Sequence, residues 1–278
     1  LFERIFRLPA EERRQWTEEE LLSRVQGLIE AYAQENMGGM ELLSGREKYR
    51  LSRLAQSACR LIRHVEEELA QSRFVPEHLE WGLGFGRDYP PLRIDTGKGI
   101  VTVGGTIDRV DVYLGSDGCR YVRVIDYKSG SRDFSLTEIY HGLSLQLAVY
   151  LNAAMEITRQ QYPEKTVRPA GIFYYRIQDP LLLSGWDRRE EDVKKDMLRE
   201  LRMKGLSSED PGILDRMDHN AGGVKNPSIV FPLSYNKDGS CSKNSAVTSE
   251  ENLRLMLDFT REKMQEIGER IVEGEAEI

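Results

Sequence analysis

Acidic side chains interrupt two apolar runs that are otherwise typical of core β-strands. Asp108 follows the run at 103–107, and Asp126 follows the run at 121–125. Lys128 lies two residues after Asp126, and because side chains alternate along a strand, both should point to the same sheet face. Two carboxylates and an ammonium on one face are the groups that metal-dependent hydrolysis of a phosphodiester needs, although they would also suit a buried ion pair.

A hard divalent cation fits this set, because Mg²⁺ prefers carboxylate and carbonyl oxygens and retains several waters. Asp108 and Asp126 would supply carboxylates, and the backbone carbonyl of Tyr127 a third oxygen. Glu80, at the start of an earlier strand, is either a further metal ligand or a carboxylate at the strand edge. The cation, Mg²⁺ or Mn²⁺, would neutralise phosphate charge and activate a water. Lys128 would stabilise the charge that develops in the transition state.

A polar position on the following predicted helix completes the pattern. Gln146 lies between two leucines, and Tyr150 follows one turn later at i+4 on the same side. Taken alone, such a glutamine marks the polar edge of an apolar stripe. Placed after the strand of Asp126 and Lys128, it is expected to orient the lysine or a metal-bound water, with Tyr150 against the DNA backbone.

Several charged residues flank this face. Arg109, Arg123 and Arg132 are predicted to contact DNA phosphates, with a solvated surface role as the alternative. Asp111 lies three residues after Asp108, so strand alternation places it on the opposite face, and a structural role is expected.

Hydrophobic periodicity predicts an α/β protein in one domain, 1–278. Residues 1–75 form a helical lead-in, which includes a helix over 45–71 whose Glu66–Glu68 run is expected to be a solvated face. Residues 76–180 form the catalytic core, and residues 181–278 contribute helices and a long loop. The core elements are strands at 80–86, 106–114, 120–128 and 170–176 and a helix at 136–161.

Bulk composition narrows the classes of function. The net charge of −7 argues against binding nucleic acid through an overall basic surface. No stretch approaches the roughly 18 apolar residues of a membrane span. The three cysteines, Cys59, Cys119 and Cys241, are far apart and odd in number, which favours a reducing cytoplasm over a disulfide framework.

Three motifs together resemble a known family: GTIDRVD at 105–111, VIDYKSG at 124–130 and GLSLQLAVYL at 142–151. They are similar to the RecB-type nucleases of the PD-(D/E)xK superfamily, and within these to the C-terminal nuclease domains of the AddB family, the B subunits of bacterial ATP-dependent helicase–nucleases. The resemblance implies a restriction-endonuclease-like core, with a mixed central sheet flanked by helices.

The resemblance also implies roles. Asp108 and Asp126 would be metal ligands, Lys128 the catalytic lysine, and Gln146 and Tyr150 the motif that follows. The implied activity is a Mg²⁺-dependent exonuclease on single-stranded DNA. It would act with an AddA-type partner subunit, degrade the strand with a 5′ end, and process double-strand breaks for recombinational repair.

Two features of that family are not found in this sequence. An upstream G-x-x-x-H histidine, which joins the metal site, has no counterpart, and the cysteines that hold an iron–sulfur cluster do not match Cys59, Cys119 or Cys241. The chain is therefore expected to be a fragment of a longer protein, with a cluster only in the full-length form.

Two other functions fit the same residues. One is a catalytically inactive DNA-binding or assembly module with the same fold. The other is a stand-alone RecB-like exonuclease of a CRISPR or phage system.

Overall fold

A computed structural model describes residues 1–130, 133–177, 189–222 and 226–275. The contacts divide the chain into two compact units, one comprising Leu1–Ala70 with Ile177–Leu201, and the other Gln71–Arg176 with Arg202–Ile278. The helices, in chain order, are α1 (Phe2–Phe6), α2 (Ala10–Gln15), α3 (Glu18–Asn36), α4 (Gly45–Gln71), α5 (Leu136–Tyr140), α6 (Gln146–Gln161), α7 (Glu190–Leu201), α8 (Pro211–Met217) and α9 (Glu250–Glu273). None of the helices in the described ranges is long and apolar enough to cross a membrane.

The strands are β1 (Val75–Leu83), β2 (Leu92–Asp95), β3 (Ile100–Val103), β4 (Gly105–Leu114), β5 (Arg120–Lys128), β6 (Val167–Arg176), β7 (Lys204–Ser208) and β8 (Val247–Thr248).

The first unit is helical, as its 3.6-residue periodicity predicts. Thr17 and Glu20 form a capping box that begins α3: the Thr17 hydroxyl accepts from the Glu20 N–H at 3.2 Å, and the Thr17 N–H donates to the Glu20 carboxylate at 2.8 Å. Leu21 and Val25 of α3 pack against Ala58 and Ile62 of α4 in a buried cluster. These contacts close a small core within this unit.

The prediction that the Glu66–Glu68 run is a solvated face is wrong for two of its three residues. Glu66 and Glu68 are only 7% and 1% exposed. The Glu66 carboxylate accepts from Arg13 at 3.2 Å and from Arg63 at 3.0 Å. A charge run can be buried where arginines neutralise it, and the arginines responsible are not visible from the run itself.

The second unit is built on a mixed sheet in the order β1-β4-β5-β6-β7-β8. Strands β1, β4 and β5 are antiparallel neighbours, whereas β5 and β6 are parallel. Parallel strands need a crossover connection, and α6 provides it between β5 and β6. This arrangement places the end of β5 beside the beginning of α6.

Helices α6 and α9 cover one face of the sheet. Leu147, Leu151 and Leu253 from these helices pack with Ile107 and Ile172 from the strands in one buried cluster. The apolar stripe predicted for the helix after β5 is therefore confirmed at Leu147 and Leu151, but not at Leu143, which precedes α6 and is exposed.

Three element boundaries differ from the predictions. The helix expected at 136–161 divides into α5 and α6, because Gly142 adopts φ +76° between them. The strand expected at 80–86 lies earlier, at β1, because Gly84 and Gly86 have positive φ and form a turn instead. Strand β7 was not predicted: its sequence, Lys-Gly-Leu-Ser-Ser, is too short and too polar to give a strand pattern.

Candidate active site

Three acidic residues lie side by side on adjacent strands. Leu79 and Trp81 of β1 pair with Arg109 and Ile107 of β4, so Glu80 lies opposite Asp108. Arg109 in turn pairs with Ile125 of β5, so one step further Asp108 comes level with Asp126. Because neighbouring strands are about 4.8 Å apart, the sheet brings together carboxylates that are 46 positions apart in the sequence.

Asp108 is held at this edge by the backbone of the next strand. Its Oδ2 accepts the N–H of Tyr127 at 2.7 Å, where the β4–β5 ladder ends. Burial raises the pKa of Asp108 to about 6, and the charges of Asp126 and Glu80 add to the rise. The Tyr127 hydrogen bond and the Lys128 ammonium oppose it. Asp108 therefore lies in a crowded acidic environment that a cation would stabilise.

Lys128 links the acidic row to the start of α6. Its Nζ lies 2.5 Å from Asp126 Oδ2 and donates to Gln146 Oε1 at 2.9 Å. The Gln146 amide then donates to the Tyr150 hydroxyl at 3.2 Å. Asp126 is 2% exposed, so this chain of contacts runs from a buried carboxylate to the more open face where Gln146 lies. Asp126, Lys128, Gln146 and Tyr150, which the motif spacing predicted to act together, are thus in contact.

Two further residues shape this face and were not predicted from the sequence. Tyr174 of β6 pairs with Asp126, and the Lys128 ammonium lies 5.7 Å from the centre of its ring. Gly105 lies beneath Tyr150: a side-chain carbon at this position would be 2.9 Å from the Tyr150 hydroxyl. The first depends on the register between β5 and β6, and the second on how α6 packs against β4, so neither is visible in the sequence.

The backbone at Glu80 is strained. Its φ is +51°, a left-handed value that non-glycine residues rarely adopt and that costs on the order of 1–3 kcal/mol. Strain of this kind is concentrated at functional sites. The side chain is exposed and lies near enough to Asp108 to raise its pKa.

The prediction that Arg109 and Arg123 contact DNA is wrong. They are 1% and 0% exposed, and they lie on the opposite sheet face with the fully buried Asp111. Arg109 donates to the two Asp111 oxygens at 2.7 and 2.6 Å, and Arg123 donates to Oδ2 at 2.9 Å. Arg132 lies outside the described residues.

The electrostatics of this buried triad explain why it is stable. Burial alone would raise the pKa of Asp111, but the Arg109 and Arg123 guanidinium groups outweigh that effect and hold the pKa below its usual range. Strand alternation correctly predicted that Asp111 faces away from Asp108. The same alternation applies to Arg109 and Arg123, which share its face.

The oxygen donors of the acidic row fit a hard divalent cation better than a soft one. In the part of the chain that the structure describes, no three His, Cys, Asp or Glu side chains converge into a ready metal cluster. Mg²⁺ does not require one, since it binds through one or two carboxylates and keeps several waters. Two carboxylates, one of them with a pKa raised by burial and by the charge of the other, form a donor set of this kind.

The three cysteines do not fit an iron–sulfur cluster, which needs four cysteine thiolates. All three are free thiols: Cys59 and Cys119 are buried, and Cys241 is half-buried. Burial raises the pKa of each thiol, which disfavours the thiolate that a metal would bind.

Comparison with known proteins agrees with this geometry. The family model described as the PD-(D/E)XK nuclease superfamily matches residues 1–277. The B subunit of the ATP-dependent helicase/deoxyribonuclease of Alkaliphilus oremlandii (strain OhILAs) is 35% identical over 255 residues, which make up 91% of this chain and 22% of that protein.

Proteins of the same name give similar values in two other species. The Clostridioides difficile (strain 630) protein is 35% identical over 84% of this chain and 20% of its own length. The Acetivibrio thermocellus protein is 32% identical over 95% of this chain and 22% of its own length. The chain thus spans about a fifth of the length of the curated relatives it matches.

Proposed function

This chain belongs to the PD-(D/E)XK nuclease superfamily, and we propose that it is a Mg²⁺-dependent deoxyribonuclease domain that hydrolyses single-stranded DNA from an end. The observation that supports this most strongly is the contact chain from Asp126 through Lys128 to Gln146, beside the Asp108 carboxylate. A buried ion pair would satisfy Asp126 and Lys128 alone. It would not require a second, poorly compensated carboxylate next to them.

In the proposed site, Asp108, Asp126 and the backbone carbonyl of Tyr127 hold Mg²⁺ or Mn²⁺, and Glu80 is a further ligand. The bound cation supplies charge compensation on the phosphate and a more acidic water. Glu80 is suited to this because it lies opposite Asp108 and its charge acts on the Asp108 carboxylate.

Lys128 acts on the substrate in this proposal. Its ammonium, placed between Asp126 and Gln146, is available to the non-bridging oxygens of the scissile phosphate, where negative charge accumulates in the transition state. Gln146 fixes the direction of the ammonium through its carbonyl oxygen. Tyr150 fixes Gln146 and offers its hydroxyl to the DNA backbone.

The name that the relatives share supports a helicase–nuclease setting, and the motif resemblance suggests its details. We propose that the domain is part of a bacterial helicase–nuclease that processes double-strand breaks for recombinational repair in the cytoplasm. Its partner would be of the AddA type, and the strand it degrades would carry the 5′ end. An iron–sulfur cluster would belong to the full-length protein, with ligands other than Cys59, Cys119 and Cys241.

The proposal is tested by measuring strand cleavage and unwinding by the complete helicase–nuclease that carries Asp126→Ala. We expect cleavage of one DNA strand to disappear, while ATP-driven unwinding and cleavage of the other strand continue. Continued cleavage of both strands would overturn the assignment. If, in addition, Mn²⁺ fails to bind near Asp126 in the wild-type protein, the chain is a non-catalytic DNA-binding or assembly module.

A further inference from the structure

A polar pocket, separate from the candidate active site, lies at the opposite end of α6 from Gln146. It has a volume of about 470 Å³ and lies between α6, α9 and the loop that leads into β6. Four basic side chains line it: Arg159, Lys165, Arg254 and Arg261. Asp258 is the acidic residue in its lining. A chain with a net charge of −7 therefore concentrates positive charge at this position.

The acidic neighbours compensate only part of this charge. Arg254 pairs with Glu250 at 2.5 Å, and Arg261 donates to Asp258 at 3.1 Å. Across residues 1–130, 133–177, 189–222 and 226–275, Arg159 and Lys165 form no side-chain hydrogen bond or ion pair. Glu156, one turn earlier on α6, is the acidic residue whose charge acts on Arg159, and in the pocket lining the basic side chains still outnumber the acidic one.

Local helix electrostatics account for each of the three arginines separately, but not for their convergence on one pocket. A basic residue in the last turn of α6, such as Arg159, interacts favourably with the helix dipole. Arg254 and Arg261 pair with Glu250 and Asp258 along α9, at the i,i+4 and i,i+3 spacings that stabilise a helix. Burial lowers the pKa of Arg159, and the charges of Arg261 and Arg254 lower it further. The arginines repel one another, and a bound anion would relieve that repulsion.

We propose that this pocket binds backbone phosphate of a single-stranded nucleic acid, at a contact separate from the cleavage site. The guanidinium group suits this ligand, because its planar donors match phosphate oxygens in pairs. The four basic side chains come from α6, α9 and the loop before β6, so the pocket offers more cationic groups than a lone phosphate ion needs, which favours a polymer segment. The inference extends the proposed nuclease function, since it assumes a nucleic-acid substrate.

The pocket and the cleavage site are separated by most of α6. Arg159 lies 13 residues after Gln146, which corresponds to about 20 Å along the helix axis at a rise of 1.5 Å per residue. At about 3.4 Å per stacked nucleotide, a strand needs roughly six nucleotides to reach from one to the other. A 20-nucleotide strand is long enough to engage both.

Arg159→Ala is the informative variant, because it removes a charge without breaking a side-chain hydrogen bond or ion pair in the described structure. Binding of a fluorescent 20-nucleotide single strand to the 278-residue chain is measured by anisotropy in EDTA, over 0.05–0.2 M salt. Loss of one phosphate contact makes the negative slope of log K against log salt shallower by about 0.7. For the variant this corresponds to about eight-fold weaker binding at 0.05 M salt and about three-fold weaker binding at 0.2 M. The melting temperature should not fall.

Arg46→Ala is the matched control. Arg46 is an exposed arginine of α4, in the other unit, and forms no side-chain hydrogen bond or ion pair within the described residues. Its replacement changes the net charge equally and should leave affinity and salt slope as in the wild type. Equal behaviour of the Arg159 and Arg46 variants, or a wild-type chain that does not bind the strand, would overturn the proposal.

Two further arms separate the remaining possibilities. If Arg159→Ala abolishes binding of inorganic phosphate or a mononucleotide but leaves strand binding unchanged, the pocket serves a small phosphate ligand and the strand contact is refuted. The proposed nuclease function is tested separately by cleavage with Mg²⁺. Strand binding that depends on Arg159, together with continued cleavage of both strands by the complete Asp126→Ala enzyme, would sustain the pocket and refute the nuclease.

Discussion

Replacing Asp111 by alanine removes the carboxylate that both Arg109 and Arg123 bind on the buried face of the sheet. The two arginines are 1% and 0% exposed, so water cannot take the place of the carboxylate. Removing one partner of a buried ion pair costs about 3–5 kcal/mol, because it leaves an uncompensated buried charge. We expect a loss of that size, since Arg109 binds both oxygens and Arg123 approaches Oδ2 to 2.7 Å.

Urea and thermal unfolding followed by circular dichroism would measure this loss. At roughly 2–4 °C per kcal/mol for a chain of this size, the melting temperature should fall by about 6–20 °C. Asp215→Ala is the control, because Asp215 forms an exposed pair with Arg216 at 3.0 Å, and a surface pair contributes about 0–1 kcal/mol.

The triad also predicts a pH dependence with a definite sign. The pKa of Asp111 is depressed in the folded protein, so its stabilisation is present above the unfolded value of about 3.9 and is lost as the pH falls towards the folded pKa. Asp111→Ala should therefore lose more stability at pH 7 than at pH 3.

An apolar replacement of the whole triad separates charge compensation from packing. Asp111→Leu combined with Arg109→Met and Arg123→Met should recover most of the stability that Asp111→Ala loses, because no buried charge remains. A loss below about 1 kcal/mol for Asp111→Ala would refute this reasoning. So would a combined variant that is less stable than the single one.

The remaining predictions concern the acidic row and the close approach of two strands. A metal needs the deprotonated carboxylate, and the pKa of Asp108 is about 6. The Mn²⁺ affinity measured by calorimetry should therefore fall about ten-fold between pH 7.5 and pH 5.0. An unchanged affinity would mean that Asp108 is not a ligand. Gly205→Ala should destabilise the protein by more than about 2 kcal/mol in urea unfolding, because the new carbon would lie 1.9 Å from a backbone oxygen of the next strand. Gly27→Ala, at an open position within α3, should instead gain up to about 1 kcal/mol, and equal effects of the two substitutions would contradict the strand geometry.

Local pattern was enough to predict the long helices and the site face. The helix over 45–71 was predicted with its observed bounds, because its apolar positions recur at helical spacing over many turns. Asp126 and Lys128 were placed together because strand alternation is a local rule. Their contact with Gln146 agrees with the motif order along the chain.

The errors arise where long-range partners decide a residue's environment. Arg109 and Arg123 were predicted to be phosphate contacts because they flank the acidic residues in the sequence, but they are buried, and Asp111 makes their burial tolerable. Glu66 was predicted to be solvated, and Arg13, 53 residues away, compensates it. The strained backbone of Glu80 leaves no trace in composition or periodicity.

The measurement that tests the central claim most directly is strand cleavage by the complete helicase–nuclease with Lys128→Met, beside Mn²⁺ binding by the same variant. Methionine keeps much of the side-chain length but removes the charge between Asp126 and Gln146. We predict that cleavage of the assigned strand falls by at least about 100-fold while Mn²⁺ affinity stays within a few-fold of the wild type, because the lysine stabilises transition-state charge without holding the metal. Cleavage of that strand within about three-fold of the wild-type rate would contradict the account.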